Sequence, residues 1–205
     1  MSEPSPDSLH AAVLAAGPST RFGSPKQLVR ISGAPVLHQA LAHATTVVGL
    51  SVTAIIGADA REVAASLRES TASVVANRHW REGLASSIRL AVETTPTTAE
   101  ALLLLFADQV ALTAEDLRRL HATWRRQPSL LVAALHGGGA GLPAIFPRWS
   151  FPDLLQLRGD RDPGVVIRRH SDRGVRLPIP NAAVNLDIPE DLLLLERGLA
   201  PPAGL

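Results

Sequence analysis

The stretch VLAAGPSTRFGSPKQLV, which spans Val13 to Val29, decides how this chain is interpreted. It starts as a short apolar run and continues beyond Gly17 into a loop that contains Arg21, Gly23 and Lys26. Small residues let backbone N–H groups approach an anion, and Arg and Lys add positive charge at the end of a strand. Five residues separate Gly17 from Gly23, so neither a Walker A loop nor the dinucleotide fingerprint G-x-G-x-x-G fits. The stretch therefore predicts a phosphate-binding loop, the alternative being a turn with solvated Arg and Lys.

The remainder of the chain alternates short apolar runs with segments of helical periodicity. Runs that are apolar throughout are typical of strands covered on both faces, and strand–helix alternation indicates βαβ units. We therefore expect one domain over residues 1–205, an α/β, three-layer α/β/α Rossmann-like fold with a mostly parallel sheet, and loose tails at 1–9 and 199–205. The predicted strands are residues 11–16, 51–56, 73–76, 101–106 and 130–134, and the predicted helices are 36–47, 60–70, 84–92 and 114–126.

Three further segments bear on the boundaries of these elements. Thr113 precedes two acidic residues, which predicts a helix N-cap with negative charge in the first turn. Pro189 predicts the first turn of another helix, which Gly198 would end. Residues 137–160 are rich in Gly and Pro and interrupt the alternation, so we expect an excursion over one end of the sheet.

Composition excludes several classes of protein. Hydrophobic residues make up 46% and charged residues 19% of the chain, a globular balance, and its net charge of +1 argues against a nucleic-acid binder. The absence of Cys excludes a disulfide framework and a thiolate metal site. The longest apolar run, residues 101–107, is far below the roughly 18 residues of a membrane-spanning helix. We expect a soluble, cytoplasmic protein without nucleic-acid or membrane partners, whose Trp80, Trp124 and Trp149 are packing residues.

Oxygen ligands stand beside two other apolar segments. Asp108 comes directly after the run 101–107, and Asp187 follows Asn185 just before a predicted helix. Carboxylates near a phosphate-binding loop are typical of sites for a hard cation such as Mg²⁺. Residues two apart on a strand face the same way, so Asn185 and Asp187 can share that cation. The alternatives are that Asp108 caps a turn and Asp187 caps the helix.

Together these segments resemble the nucleotidyltransferases of molybdenum cofactor biosynthesis, in particular the molybdenum cofactor cytidylyltransferase family. The family start L-A-A-G-x-S-x-R-x-G-x-x-K matches at every fixed position of residues 14–26, and the strand ending in Asp-Gln matches at 108–109. A D-x-D-T-P-E-D element is approximated by residues 185–191, an N…W…G…S-S stretch by 77–87 and a G-H-P turn by 141–143. The order is that of the family, and the resemblance implies the nucleotide-diphospho-sugar transferase fold.

The resemblance also implies a reaction, in which an acceptor phosphate attacks the α-phosphorus of a nucleoside triphosphate and pyrophosphate leaves. The sequence Ala-Ala-Gly at 15–17 resembles cytidine-using members, so CTP, Mg²⁺, a molybdopterin-like phosphorylated acceptor and a molybdoenzyme partner are expected. By resemblance, the catalytic residues are Lys26, Arg21 and Asp108, and the metal ligands are Asp108 with Asp187 or Asn185. The acceptor side comprises Gly141, Pro143 and Asp160. The residues that the resemblance assigns to nucleotide binding are Leu14, Ala15, Ala16, Gly17, Ser19, Arg21, Gly23, Lys26, Gly83, Ser86 and Ser87.

Departures from the family pattern lie mainly on the acceptor side. Leu142 replaces the His of the G-H-P turn, residues 159–164 match G-D-x-G-A-R only in part, and Asn185 replaces the first Asp of the metal element. Val110 stands where Pro usually follows Asp-Gln. Three alternatives therefore stay open: guanylyl transfer or nucleotidyl transfer to a sugar phosphate; a non-catalytic nucleotide-binding accessory protein for molybdoenzyme maturation; and an oxidoreductase on the same scaffold.

Overall fold

A computed structural model describes residues 9–196. In chain order the strands are β1 (Leu9–Ala15), β2 (Arg30–Ile31), β3 (Ala34–Pro35), β4 (Val52–Ile56), β5 (Ser73–Ala76), β6 (Ala101–Phe106), β7 (Leu131–His136), β8 (Gly139–Pro147) and β9 (Gly174–Pro178). The α-helices are α1 (Val36–Val48), α2 (Ala60–Ser66), α3 (Leu84–Thr94), α4 (Ala114–Arg126), α5 (Phe151–Leu155), α6 (Gly164–Arg169) and α7 (Pro189–Glu196). Short 3-10 helices cover Lys26–Leu28, Trp80–Glu82, Arg148–Ser150, Ser171–Arg173 and Pro180–Ala183.

Seven strands form one sheet in the order β5-β4-β1-β6-β8-β7-β9. Every strand of this sheet runs parallel to β1 except β8, which is antiparallel to both of its neighbours. The two shortest strands, β2 and β3, make a separate antiparallel pair just before α1. The predicted α/β architecture with a mostly parallel sheet is therefore confirmed.

Helices cover both faces of the sheet, and the central strands β1, β4 and β6 are buried almost entirely, whereas the edge strands β5 and β9 are exposed or half-buried. All seven residues of β1 are buried, and successive side chains enter opposite layers. Ala11 and Val13 pack with the apolar sides of α1, α2 and α4, whereas Ala12 and Leu14 pack with those of α3, α5 and α6. This double coverage explains why the central strands are apolar throughout rather than alternating.

The order of the strands places a topological switch between β1 and β6. From β1 the chain moves outward through β4 to β5, and it then returns to pair β6 on the other side of β1. The connections after β1 and after β6 therefore diverge and leave a crevice at the carboxyl ends of these two strands. In open α/β sheets such a crevice is where ligands bind.

The excursion expected for residues 137–160 is wrong for residues 139–147, which enter the sheet, whereas residues 148–160 lie outside the sheet. Residues 139–147 form β8, which lies between β6 and β7. A Pro inside a run argues against a central strand because it cannot donate to the ladder. Here the pairing jumps from Ala133↔Ala144 to Ala134↔Gly141, so Pro143 falls in a bulge where no ladder donor is needed. The strand β9 and the helices α5 and α6 were not predicted either.

Most other boundaries agree with the local signals. Thr113 and Asp116 form a reciprocal capping box at the start of α4, as the N-cap prediction requires. The last helix begins at Pro189 as expected, while its predicted end at Gly198 and the tails at 1–8 and 199–205 lie outside the described residues. Leu9, expected in the N-terminal tail, is a buried residue of β1. No helix within residues 9–196 has both the length and the hydropathy to span a membrane.

Candidate active site

A cleft of about 260 Å³ opens at the carboxyl ends of β1 and β6, where the topological switch predicts a ligand site. Its apolar part comes from the end of β1, from Phe106 at the end of β6 and from Leu84 at the start of α3. The charged lining residues are Lys26 and Asp108, which contact each other, and Asp160, which lies beside Leu84. The complete lining is Leu14, Ala15, Ala16, Gly17, Pro18, Lys26, Gln27, Val36, Trp80, Gly83, Leu84, Ser87, Phe106, Ala107, Asp108 and Asp160.

The loop after β1 is held against the strand by Gln27, which is only 3% exposed. Its Nε2 donates hydrogen bonds to the carbonyl oxygens of Ala15 (3.0 Å) and Gly17 (2.9 Å). Its Oε1 accepts a hydrogen bond from the hydroxyl of Ser19 (3.3 Å), which in turn accepts one from the backbone N–H of Lys26 (3.1 Å). Every polar atom of this buried amide is therefore used to fix the backbone that carries Lys26.

Lys26 lies between two carboxylates from distant parts of the chain. Its Nζ is 2.5 Å from Oδ2 of Asp108 and 3.2 Å from Oδ1 of Asp187. Arg21 approaches Asp187 from solvent at 3.7 Å, and its side chain is 69% exposed. The structure thus brings together the catalytic and metal-binding residues proposed from the sequence, with Lys26 at the centre and Arg21 at the rim.

Backbone pairing explains why Asp187 reaches Asp108. The N–H of Leu186 donates to the carbonyl of Asp108 (2.9 Å), and the N–H of Val110 donates to the carbonyl of Val184 (3.1 Å). The start of α7 is capped by Asp191, whose Oδ2 accepts hydrogen bonds from the N–H groups of Asp187 (2.7 Å) and Ile188 (2.9 Å). Because Asp191 serves as the cap, the carboxylate of Asp187 stays available to Lys26.

Burial and charge act in opposite directions on Lys26. Desolvation alone would lower the pKa of its ammonium, but the charges and hydrogen bonds of Asp108 and Asp187 outweigh it and raise the pKa above its ordinary value. The ammonium is therefore a permanent positive charge at physiological pH. Lys26 together with the exposed Arg21 balances the two carboxylates, so a metal ion at the same oxygens would add positive charge that a bound triphosphate could offset.

The residues around Lys26 have the chemistry of a Mg²⁺ site. Asp108 and Asp187 supply carboxylate oxygens that converge on one cation. Oδ1 of Asn185 is buried and has no hydrogen-bond partner in the described part of the chain. Residues 9–196 contain no cluster of three or more acidic, His or Cys side chains suited to a metal. Mg²⁺ fits two carboxylates, because it usually keeps several waters and shares its remaining positions with substrate phosphates.

The opposite wall is organised by Asn77, which is buried. Its Nδ2 donates to the hydroxyls of Ser86 (2.8 Å) and Ser87 (3.0 Å) at the start of α3. Ser87 lines the cleft, whereas Ser86 turns toward a shallower depression on the other side of Asn77. Of the two serines expected to bind nucleotide, the structure therefore places one in the cleft and gives the other a hydrogen bond to the carbonyl of Gly83 (2.8 Å).

Gly83 and Asp160 meet at the entrance of this wall. Gly83 has a φ of +94°, and a Cβ there would lie 2.5 Å from Oδ1 of Asp160. That oxygen accepts a hydrogen bond from the N–H of Leu84 (3.3 Å) at the start of α3. Asp160, expected on the acceptor side, thus lines the same cleft as residues that are expected to bind nucleotide.

The other residues expected on the acceptor side occupy β8. Gly141 and Pro143 do not line the cleft; Gly141 borders the bulge described above and Pro143 lies within it. The carbonyl of Leu142 between them accepts hydrogen bonds from Nε2 of Gln109 (2.8 Å) and from the imidazole of His136 (2.8 Å). Gln109 also donates to the carbonyl of Ala182 (2.9 Å), so it ties β8 to the segment that leads to Asp187.

The comparison with protein families now decides the class of protein. Residues 11–174 match the model of the MobA-like NTP transferase domain, which is most of the chain. The chain belongs to the MobA-like NTP transferase family. The match supports membership of the nucleotidyltransferase superfamily.

Relatives of this MobA-like domain cover several activities. The bifunctional protein GlmU of Nitrobacter hamburgensis is 32% identical over 127 residues, which are 60% of this chain but only 28% of GlmU. Rv0371c of Mycobacterium tuberculosis H37Rv is 28% identical with a TM-score of 0.74, over 91% of this chain and 96% of that one. A manganese complex of Rv0371c aligns with a TM-score of 0.72, at 26% identity over 93% and 99% of the two chains.

Sequence reasoning did not assign several lining residues of the cleft in this MobA-like domain, and two of them, Gln27 and Trp80, bear directly on how the site is built. Gln27 follows Lys26 directly, and nothing in a single sequence distinguishes a buried loop glutamine from a solvated one. Trp80, interpreted as a packing residue, lines the cleft, and the Arg81 guanidinium lies 4.4 Å from the centre of its ring. Its place within the resembling N…W…G…S-S stretch was the available signal. Trp124 is buried as expected.

Proposed function

We propose that this protein transfers CMP from CTP to molybdopterin or a related phosphorylated cofactor and releases pyrophosphate. The observation that carries the proposal is the position of Lys26 between Asp108 and Asp187, beside a cleft that is lined by both charged and apolar side chains. An apolar slot beside a cluster of charges suits a nucleotide, because the base and the phosphates need opposite environments. Membership of a nucleotidyltransferase family gives this arrangement its chemistry.

In the proposed reaction a phosphate oxygen of the acceptor forms a bond to the α-phosphorus of CTP. The bond from the α-phosphorus to the oxygen that bridges it to the β-phosphate breaks, and the electron pair leaves with pyrophosphate. The protein contributes mainly by positioning and by charge neutralisation. Lys26 binds phosphate oxygens from within the cleft, and Arg21, at the solvent side, binds the phosphates that leave.

Asp108 and Asp187, with the amide oxygen of Asn185, are the residues that would hold Mg²⁺. When bound, that ion supplies charge neutralisation for a triphosphate that carries roughly four negative charges. The two carboxylates are fixed by backbone pairing between their segments. Their role is therefore to hold a cation at a constant position relative to the loop after β1.

The packing of Ala16 supports the choice of a pyrimidine nucleotide. Its carbonyl accepts a hydrogen bond from the N–H of Ala58 (3.0 Å), and a Cβ on Gly57 would lie 2.8 Å from the Cβ atoms of Ala16 and Trp80. The Ala16 methyl group therefore cannot retreat from the cleft without disturbing β4. A rigid methyl group at the apolar end favours a small base over a purine.

A second candidate is nucleotidyl transfer to a sugar phosphate. The observation that favours it is the 32% identity to part of GlmU. Both candidates use the same nucleotide half and differ only in the acceptor.

Pyrophosphate release tests the proposal. Purified protein is incubated with Mg²⁺, each of the four common ribonucleoside triphosphates, and either molybdopterin or a panel of sugar 1-phosphates. We expect release with CTP and molybdopterin, its loss in Asp108→Asn, and no change in the matched control Glu115→Gln, which removes an exposed carboxylate on α4. Failure to bind any nucleoside triphosphate at millimolar concentration would refute the proposal, and release only with sugar phosphates would select the second candidate.

A further inference from the structure

Lys26 occupies the place where the two proposed metal ligands converge. Its ammonium contacts Asp108 and Asp187 at once, and the three side chains are only 18%, 22% and 25% exposed. Ion pairs that are this well removed from water are screened less than pairs on the surface. The ion pairs of Lys26 with the two carboxylates are therefore a substantial interaction, and any other cation that binds the same oxygens has to displace the ammonium.

A divalent cation and the ammonium compete for the same oxygens. Mg²⁺ and Mn²⁺ bind carboxylate oxygen directly, and an ammonium that stays in hydrogen-bond contact with those oxygens faces the metal at close range. Two like charges at that distance repel each other. Entry of the metal thus requires Lys26 to leave at least one of its two carboxylates.

The backbone of Lys26 cannot take part in that movement. Its N–H is bonded to Ser19, and the neighbouring Gln27 is fixed to the end of β1. The side chain has a flexible four-carbon stem, so its ammonium can swing within the cleft while its Cα stays in place. A triphosphate in the cleft offers it new negative partners within that reach.

We propose that Lys26 is an internal counter-cation which keeps divalent metal weakly bound until a triphosphate draws its ammonium away from Asp108 and Asp187. This inference rests on the proposed function. Metal and nucleotide then bind with positive coupling, since each removes a cost that the other would face. Lys26 serves both as a phosphate ligand in the complex and as a barrier to metal in the free protein.

Mn²⁺ binding without nucleotide tests the inference, measured by electron paramagnetic resonance of free Mn²⁺ with the full-length protein. Lys26→Met removes the competing charge and is expected to tighten Mn²⁺ binding on the order of tenfold, the equivalent of about 1.4 kcal/mol. Lys26→Arg keeps a cation and is expected to bind Mn²⁺ like the parent protein. Arg21→Met removes a more distant, exposed cation and should tighten binding by less than twofold, because exposed pairs are weak.

The outcomes separate this inference from the proposed function. Equal or weaker Mn²⁺ binding by Lys26→Met overturns the inference, and so does Lys26→Arg binding as tightly as Lys26→Met, since charge would then not be the cause. If Lys26→Met fails to fold, Lys26→Gln makes the same test. Asp108→Asn should lose Mn²⁺ binding; if it does not, the metal site of the proposed function is wrong, whatever Lys26 does.

Discussion

Replacing Gln27 by Met is expected to lower both stability and activity, because one buried amide fixes the whole loop after β1. Methionine is close in length and volume and adds no charge, so the change removes hydrogen bonds with little change in packing. The carbonyls of Ala15 and Gly17 lose their donor and Ser19 loses its acceptor. The backbone that carries Lys26 is then held only by its flanking turns.

The magnitude follows from these contacts. Three hydrogen bonds at about 1 kcal/mol each are lost, and an apolar side chain in a buried position recovers about 1 kcal/mol, so the free energy of unfolding should fall by about 2 kcal/mol. Gly17 is exposed, so water can replace the donor there, whereas the carbonyl of buried Ala15 is left without one. A displacement of Lys26 by about 1 Å would lower kcat on the order of 100-fold.

Urea unfolding followed by circular dichroism and pyrophosphate release measure the two effects. Gln39→Met is the matched control, since Nε2 of Gln39 also donates to two backbone carbonyls, those of Ile31 (2.7 Å) and Ala34 (2.8 Å), but away from the cleft. We expect it to cost about 1 kcal/mol and to leave kcat unchanged. The reasoning is refuted if Gln27→Met stays within about 0.5 kcal/mol and retains full activity.

Three further changes probe other parts of the structure. Ala16→Gly should raise GTP use relative to CTP in a direct competition assay; an unchanged ratio would remove the methyl group from base selection. Desolvation lowers the pKa of buried His10 from 6.5 to about 4. As pH falls, the unfolded chain therefore binds this proton before the folded chain does, and up to about 3 kcal/mol of stability that is present above pH 6.5 should be lost toward pH 4. The variant His10→Gln should not show this loss. Trp80→Phe should remove the fluorescence change caused by CTP, and a residual change would place the responding residue elsewhere.

The elements that sequence reasoning located are those with a local cause. The strands of residues 101–106 and 73–76 have the same bounds in the structure as in the prediction. The first is a buried central strand, as a continuous apolar run predicts, whereas the second lies exposed at the edge of the sheet. The start of α4 is equally local, since Thr113 and Asp116 satisfy each other's backbone groups. Such signals lie within a few residues and need no tertiary information.

The elements that it missed depend on distant partners. β8 is a central strand only because β6 and β7 flank it, and its Pro143 is tolerated only because the ladder slips at that point. The helix predicted at residues 60–70 was too long, because α2 ends at Ser66, before the turn that leads into β5. Residue propensities describe each segment in isolation, whereas β8 is a strand because of the strands that pair with it.

The same distinction between local signals and distant partners applies to the candidate site. The motifs predicted which residues would bind phosphate and metal. The contact of Asp187 with Lys26 could not be predicted in the same way, because it depends on the pairing of residues 184–186 with 108–110. Whether Asp187 or another side chain caps α7 was also undecidable, and Asp191 proves to be the cap. Gln27 had no signal at all, since its burial follows from the way the loop turns back at Ser19.

The carboxylates and the cations of the site differ in mobility, and this difference affects how the site works. Asp108 follows a strand whose residues are almost all fully buried, and Asp187 is paired to it through the backbone. Lys26 and Arg21, by contrast, carry their charges on long side chains that can reorient, even though the backbone at Lys26 is held by Ser19 and Gln27. Because the acids cannot follow a moving ligand and the cations can, binding of a triphosphate should rearrange the positive charges around a fixed negative pair. The same asymmetry makes Lys26, rather than either carboxylate, the residue whose replacement should alter metal affinity without destroying the metal site.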